Sequence, residues 1–256
     1  MRCIAALLTL LLFMTAALAE GTPSALRQAT SVEAVEQFLC FPEGEEEAPA
    51  VEAGYIRYIA QNEKKDPLFF KPYWLGGEEG SELDLTVKKR NGYEYAFHAG
   101  TMCTRAAYSM AMSYLGIDVT PGAMSAITGK RHIDEPYDEF SALLGVERVT
   151  VSSKVFNTYM QNYLTDSSYS PVYLYIQKPS GQYHALLVVG FIPELSRYLV
   201  VDSSPYYVDD MPHRVYFISL NKNRTEIINS TFKWELKGSK VLQLYQWRRL
   251  DETSVQ

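Results

Sequence analysis

Histidine and cysteine are scarce in this chain. Its 256 residues hold four histidines (His98, His132, His184 and His213) and three cysteines (Cys3, Cys40 and Cys103). The histidines stand far apart, with no paired ligand spacing, so no metal site is expected. Glu45, Glu46 and Glu47 run consecutively and lack the alternating ligand spacing of a calcium loop. No glycine-rich phosphate loop is present, and no cofactor is expected. Positive charge is in deficit: 24 Lys and Arg face 30 Asp and Glu, for a formal net charge of −6. That balance argues against nucleic acid and anionic membrane surfaces as partners. Beyond the first twenty residues no segment approaches ~18 unbroken apolar residues, the length a spanning helix needs. No internal repeat is visible.

The chain opens with Met1-Arg2, an apolar run from Ile4 to Ala17, and Ala17-Leu18-Ala19 before Glu20. A charged start, a short apolar core and an A-x-A ending predict a secretory signal peptide over residues 1–19, cut after Ala19. The expected location is secreted or extracytoplasmic, with no membrane attachment after cleavage. Residues 20–90 read as an N-terminal extension and linker, and 91–256 as the main domain. Cys3 leaves with the leader. Cys40 and Cys103 remain, and in an exported protein a disulfide between them is one reading of Cys103.

The local signals run in order. Glu20 to Thr30 is polar and small, which predicts a loose start. Ser31 caps a short helix toward Leu39, and the Pro- and Glu-rich stretch 41–50 is an exposed linker. Asn91-Gly92 between alternating runs predicts a hairpin. Thr120-Pro121 to Gly129, Asp134 to Gly145 and Ser153 to Leu164 carry helix signals. Strands follow at 171–177, 184–191, 197–202, 214–220, 225–236 and 241–247. Helices first and an antiparallel sheet after predict an α+β fold, a helical block followed by a sheet.

Chemistry concentrates at Cys103. Ala106, Ala107, Met110, Ala111, Tyr114 and Leu115 fall on one helical face, with Gly116 as its left-handed stop and Thr101 as its N-cap. Cys103 therefore sits in the first turn, where unpaired N–H groups and the helix dipole favour a thiolate. A nucleophilic thiol needs a base and a group to orient the base. His184 opens one predicted strand and Asp202 closes the next. Across a short connection the two lie opposite one another, with cross-strand Cβ atoms ~4.5–5.5 Å apart.

The pattern of Cys103, Ala106-Ala107, Met110, Tyr114, Gly116 and Thr120-Pro121 resembles the papain-like cysteine peptidases of family C39 and their relatives. So do the Pro171–Ile176, Gly181–Gly190 and Tyr198–Asp202 stretches, and the likeness covers about residues 97–204. It implies a papain-like fold with Cys103 as nucleophile, His184 as base and Asp202 as orienting carboxylate, acting on a peptide or protein substrate. The family writes Cys-Gly-Pro where this chain has Cys103-Thr104-Arg105. It also places an oxyanion-binding glutamine before the cysteine, where this chain has Phe97 and His98. His98 is the candidate donor in its place. The expected activity is that of a secreted cysteine peptidase. The alternatives are an amidase- or transglutaminase-type acyl transferase and a non-catalytic binding module on the same scaffold.

Overall fold

The computed structural model describes residues 25–40, 52–59, 103–119, 121, 124, 138–151, 155–209 and 211–250. The signal-peptide segment, the 41–50 linker, the Asn91-Gly92 hairpin, His98, Thr101, His132 and all but two residues of the 120–129 helix lie outside the described residues.

The chain enters through a single 3₁₀ turn, Ala25–Gln28, and helix α1, Val32–Glu36. Ser31 caps α1 as its sequence predicts: its Oγ accepts a hydrogen bond from the Ala34 N–H at 3.2 Å. The start is not loose over its described part. Leu26 is fully buried, and so are Val35 and the side chains of Ile56 and Ile59 further on. Strand β1, Leu39–Cys40, pairs in parallel with β2, Ile56–Arg57.

Helix α2, Cys103–Tyr114, is the central helix. Its apolar spacing predicts one buried face, but every residue except Thr104 is buried. Ala106, Ala107, Ser109, Ala111 and Ser113 make this possible, because small side chains let neighbours close in on all sides. The two serines find local partners. Ser113 Oγ donates to the Met110 carbonyl and accepts from the Arg57 N–H, at 2.8 and 2.9 Å. The helix ends as Gly116 predicts. Gly116 has φ of +74°. Its N–H reaches the Ser113 carbonyl at 2.8 Å, and the Ile117 N–H reaches back to Met112 at 3.0 Å. These are the paired bonds of a Schellman cap.

Helix α3, Asp138–Leu143, leads through Gly145 into β3, Val146–Arg148. Helix α4, Val155–Thr165, follows. Five strands come next: β4 Val172–Gln177, β5 Tyr183–Ile192, β6 Arg197–Val208, β7 Met211–Leu220 and β8 Ile227–Ser230. The chain ends in β9, Lys240–Tyr245, and β10, Trp247–Arg249. One six-stranded antiparallel sheet has the order β8-β7-β6-β5-β4-β9, while β10 pairs with β3. The sheet curls until its edges meet. Glu226 and Lys240 form a bridge, flanked by Ile227 N–H to Ser239 carbonyl at 2.9 Å and Val241 N–H to Thr225 carbonyl at 2.8 Å. Such edge contact removes free donors and acceptors that would otherwise invite strand addition.

The expected helical block followed by a sheet, and with it the papain-like layout, is not what the chain forms. The fold is mostly β, with 40% strand and 29% helix among the described residues and a curled half-barrel sheet at its centre. Two features explain the difference. Helices α1 and α3 span only 5 and 6 residues, too short to build a layer. The strands also interleave with the helices: β1 and β2 precede α2, and β3 separates α3 from α4. A sheet that curls on itself covers much of its own apolar surface and needs few helices to do so. Strand β5 is central, as its unbroken apolar run predicts, and is buried from His184 to Gly190. At Gly190 the entry segment lies against it. A Cβ there would come within 3.0 Å of the Ala29 carbonyl oxygen.

Candidate active site

Cys103 is the first residue of α2, and α2 packs on β5. Its side chain is buried and lies close enough to the His184 ring to act on the charge of that ring. The first N–H groups of a helix have no partner within it, so the thiol stands at the positive end of α2. Cys40 lies on β1, and both thiols are free, so the two cysteines form no disulfide.

His184 is the second residue of β5 and Asp202 the sixth of β6. The β5–β6 ladder ends at Leu187–Val201, which would set Asp202 against Leu186. His184 is two residues further along, so the two side chains share a face and meet on a diagonal rather than directly opposite. His184 Nε2 lies 2.8 Å from Asp202 Oδ1. That contact makes Nε2–H the donor to the carboxylate and leaves Nδ1 as the other ring nitrogen. Sulfur, imidazole and carboxylate, scattered in the sequence, come together in one place. His98 lies outside the described residues.

Asp202 is completely buried, and each of its oxygens accepts two hydrogen bonds. Oδ1 takes His184 and the Ser204 N–H, both at 2.8 Å. Oδ2 takes the Tyr216 hydroxyl at 2.6 Å and the Lys233 ammonium at 2.7 Å. A carboxylate offers about four acceptor positions, and all are filled. Lys233 also donates to the Ser204 carbonyl, and the Tyr58 hydroxyl donates to the Asp202 carbonyl at 2.8 Å. The local backbone makes this possible. The β6–β7 register breaks between Val201 and Tyr206. Pro205 has no N–H to give to a ladder, and the bulge turns the Ser204 carbonyl toward Lys233.

The electrostatics follow from burial and neighbours. Burial disfavours the imidazolium of His184, but the Asp202 charge, its hydrogen bond and Cys103 outweigh burial and push the ring up to about 9. Burial likewise acts against the Asp202 carboxylate, and His184 and Lys233 overcome it, holding Asp202 well below the usual carboxylate range. Burial and the adjacent Asp202 charge drive Tyr216 far above its ordinary value, so it stays a hydroxyl donor. At neutral pH the ring is therefore protonated and the carboxylate charged.

Sequence reasoning finds Cys103, His184 and Asp202 but misses Lys233, Tyr216 and Tyr58. Lys233 carries a weak signal, a lone cation between Phe232 and Trp234, which reads equally as a snorkelling surface residue. Its side chain is in fact buried, with 4% exposure. Tyr216 is one tyrosine among 19 and carries no signal of its own. Among the described residues no group of three His, Cys, Asp or Glu side chains converges as metal ligands, and no helix is long and apolar enough to cross a membrane. Compared with protein-family models, curated proteins and solved structures, the chain matches none.

Proposed function

We propose that this protein is an exported thiol hydrolase that cuts peptide or amide bonds, with Cys103 as nucleophile, His184 as acid and base, and Asp202 as the carboxylate that orients His184. One observation carries the reading: the His184 ring is bonded through Nε2 to a buried carboxylate, with the buried Cys103 side chain close enough to act on its charge. The likeness to family C39 supports it at the level of these residues and their order, not of the fold.

The Cys103 thiolate attacks the carbonyl carbon of the scissile bond. His184 gives its Nδ1 proton to the leaving nitrogen as the C–N bond breaks, which leaves a thioester on Cys103. The neutral ring then takes a proton from water, whose oxygen attacks the thioester carbonyl. The carboxylic acid departs, and the thiolate–imidazolium pair is restored. The N–H of Cys103, at the start of α2, supplies one donor to the oxyanion, and His98 is the candidate for a second. An acyl transferase would use the same first half and replace water by an amine.

A second reading, a non-catalytic binding module, draws on the lack of a glutamine ahead of Cys103. A peptide library incubated with the protein and read by mass spectrometry separates the two. The hydrolase creates new termini with the wild type and none with Cys103→Ala. A library bound but returned intact by both proteins establishes the binder.

A further inference from the structure

Lys233 is a buried ammonium that the cleavage chemistry above does not use. It sits on Asp202 Oδ2, on the side of the carboxylate away from His184. Resting on the reading of Cys103, His184 and Asp202 as a nucleophile, base and carboxylate, we propose that Lys233 is a positioning residue that acts through Asp202. Its charge sets the pH range in which the Cys103–His184 ion pair exists.

A buried thiolate, imidazolium and carboxylate together carry a net charge of −1. Lys233 brings the set to zero, in a place where solvent does not screen it: the side chains of His184, Asp202 and Lys233 are 4%, 0% and 4% exposed. In such surroundings an uncancelled charge is costly. A cation behind the carboxylate weakens the hold of Asp202 on the imidazolium, so His184 loses its proton at lower pH than it would facing Asp202 alone. The same cation favours a thiolate over a thiol in the same buried set, so both limits of the ion pair move in the acid direction.

The other groups around Lys233 do not supply this charge. From β7, Tyr216 shares Oδ2 as a neutral hydroxyl, His213 stacks on Phe232 with ring centroids 4.1 Å apart, and Arg214 lies 5.3 Å over the Tyr58 ring. The Tyr58 hydroxyl is taken by the Asp202 carbonyl. Glu235, two residues on, pairs with Lys178 at 4.0 Å. Lys233 is thus the one described cation in direct contact with the carboxylate besides His184.

Two substitutions separate charge from hydrogen bonding. Lys233→Gln keeps a donor for Asp202 and removes the charge, whereas Lys233→Arg keeps the charge. The readout is the rate of iodoacetamide alkylation at Cys103, followed by peptide mass from pH 4 to 11, with folding checked by thermal unfolding. The expected acid limb of Lys233→Gln lies about one pH unit above the wild type, as loss of a unit charge at this range predicts. Lys233→Arg is expected to keep the wild-type limb. A Lys233→Gln limb that coincides with the wild type, or a uniform loss of rate without displacement, overturns the proposal and leaves Lys233 a structural tie to the Ser204 carbonyl. Should the glutamine variant not fold, Lys233→Met is read for the same displacement. A Lys233→Arg limb displaced by a full unit likewise overturns the proposal. A wild-type Cys103 that alkylates like an ordinary thiol, with pKa ~8.5, overturns the underlying reading of the site and this inference with it.

Discussion

At the scale of single residues, the site is a chain of buried groups in which each makes the next affordable. Asp202 is tolerable without solvent because four donors fill it, and Lys233 is tolerable because Asp202 and the Ser204 carbonyl receive it. Removing one partner strands the other. Asp202→Ala is expected to destabilise the fold by about 3–5 kcal/mol, the cost of breaking a buried pair. Adding Lys233→Met to Asp202→Ala should recover part of that loss. Urea unfolding of the two single variants and the double variant gives the coupling, and strictly additive losses would show that the pair is independent. His184 gives a pH prediction. Its folded value is raised from 6.5 to about 9, so its contribution to stability is complete below pH 6.5 and disappears as pH rises through 9. Asp202 works in the opposite direction: its contribution is present above 3.8 and is lost as pH falls toward its depressed folded value. Stability should therefore fall between pH 6.5 and 9 in the wild type, and that slope should flatten in His184→Gln. The convergence of Cys103, His184 and Asp202 was legible in the sequence because each stood at the start or end of a predicted element. Lys233 and Tyr216 were not, since only the curl of the sheet brings β7 and the turn after β8 behind Asp202.

At the scale of elements, local signals read well wherever the chemistry is local. The Ser31 cap, the Gly116 stop and the β4 and β5 strands all stand where their residues place them, while β6 begins at Arg197 as expected but runs on past Asp202 to Val208. Gly116→Ala tests the stop. A side chain there must adopt φ of +74° and comes within 3.3 Å of the Ala53 Cβ. A loss of about 1 kcal/mol is expected in urea unfolding, and an unchanged midpoint would show that the cap contributes nothing. The longer strand signals read less well. The 225–236 run yields only Ile227–Ser230, because the chain must leave the sheet to carry Lys233 under Asp202 and then form the Trp234–Leu236 3₁₀ turn. Likewise 241–247 divides into β9 and β10, which serve two different sheets. Helix α2 shows the limit of reading by periodicity. Its apolar face was visible, but its small residues concealed that the opposite face is buried too.

At the scale of the whole molecule, a helix signal does not carry its length, and α1 and α3 are too short to build the helical layer their signals suggest. What organises the chain is the curled sheet, with α2 laid over β5 and the entry segment pressed against Gly190. That arrangement delivers a thiol from a helix start to an imidazole on a strand. Thiolate absorbance at 240 nm, taken as the difference between the wild type and Cys103→Ala across pH, measures directly whether the His184 ring acts on Cys103. The account predicts a thiolate that forms well below the ordinary thiol value of ~8.5 and returns to that value in His184→Ala. A thiolate transition at the same pH with and without the His184 ring would contradict it.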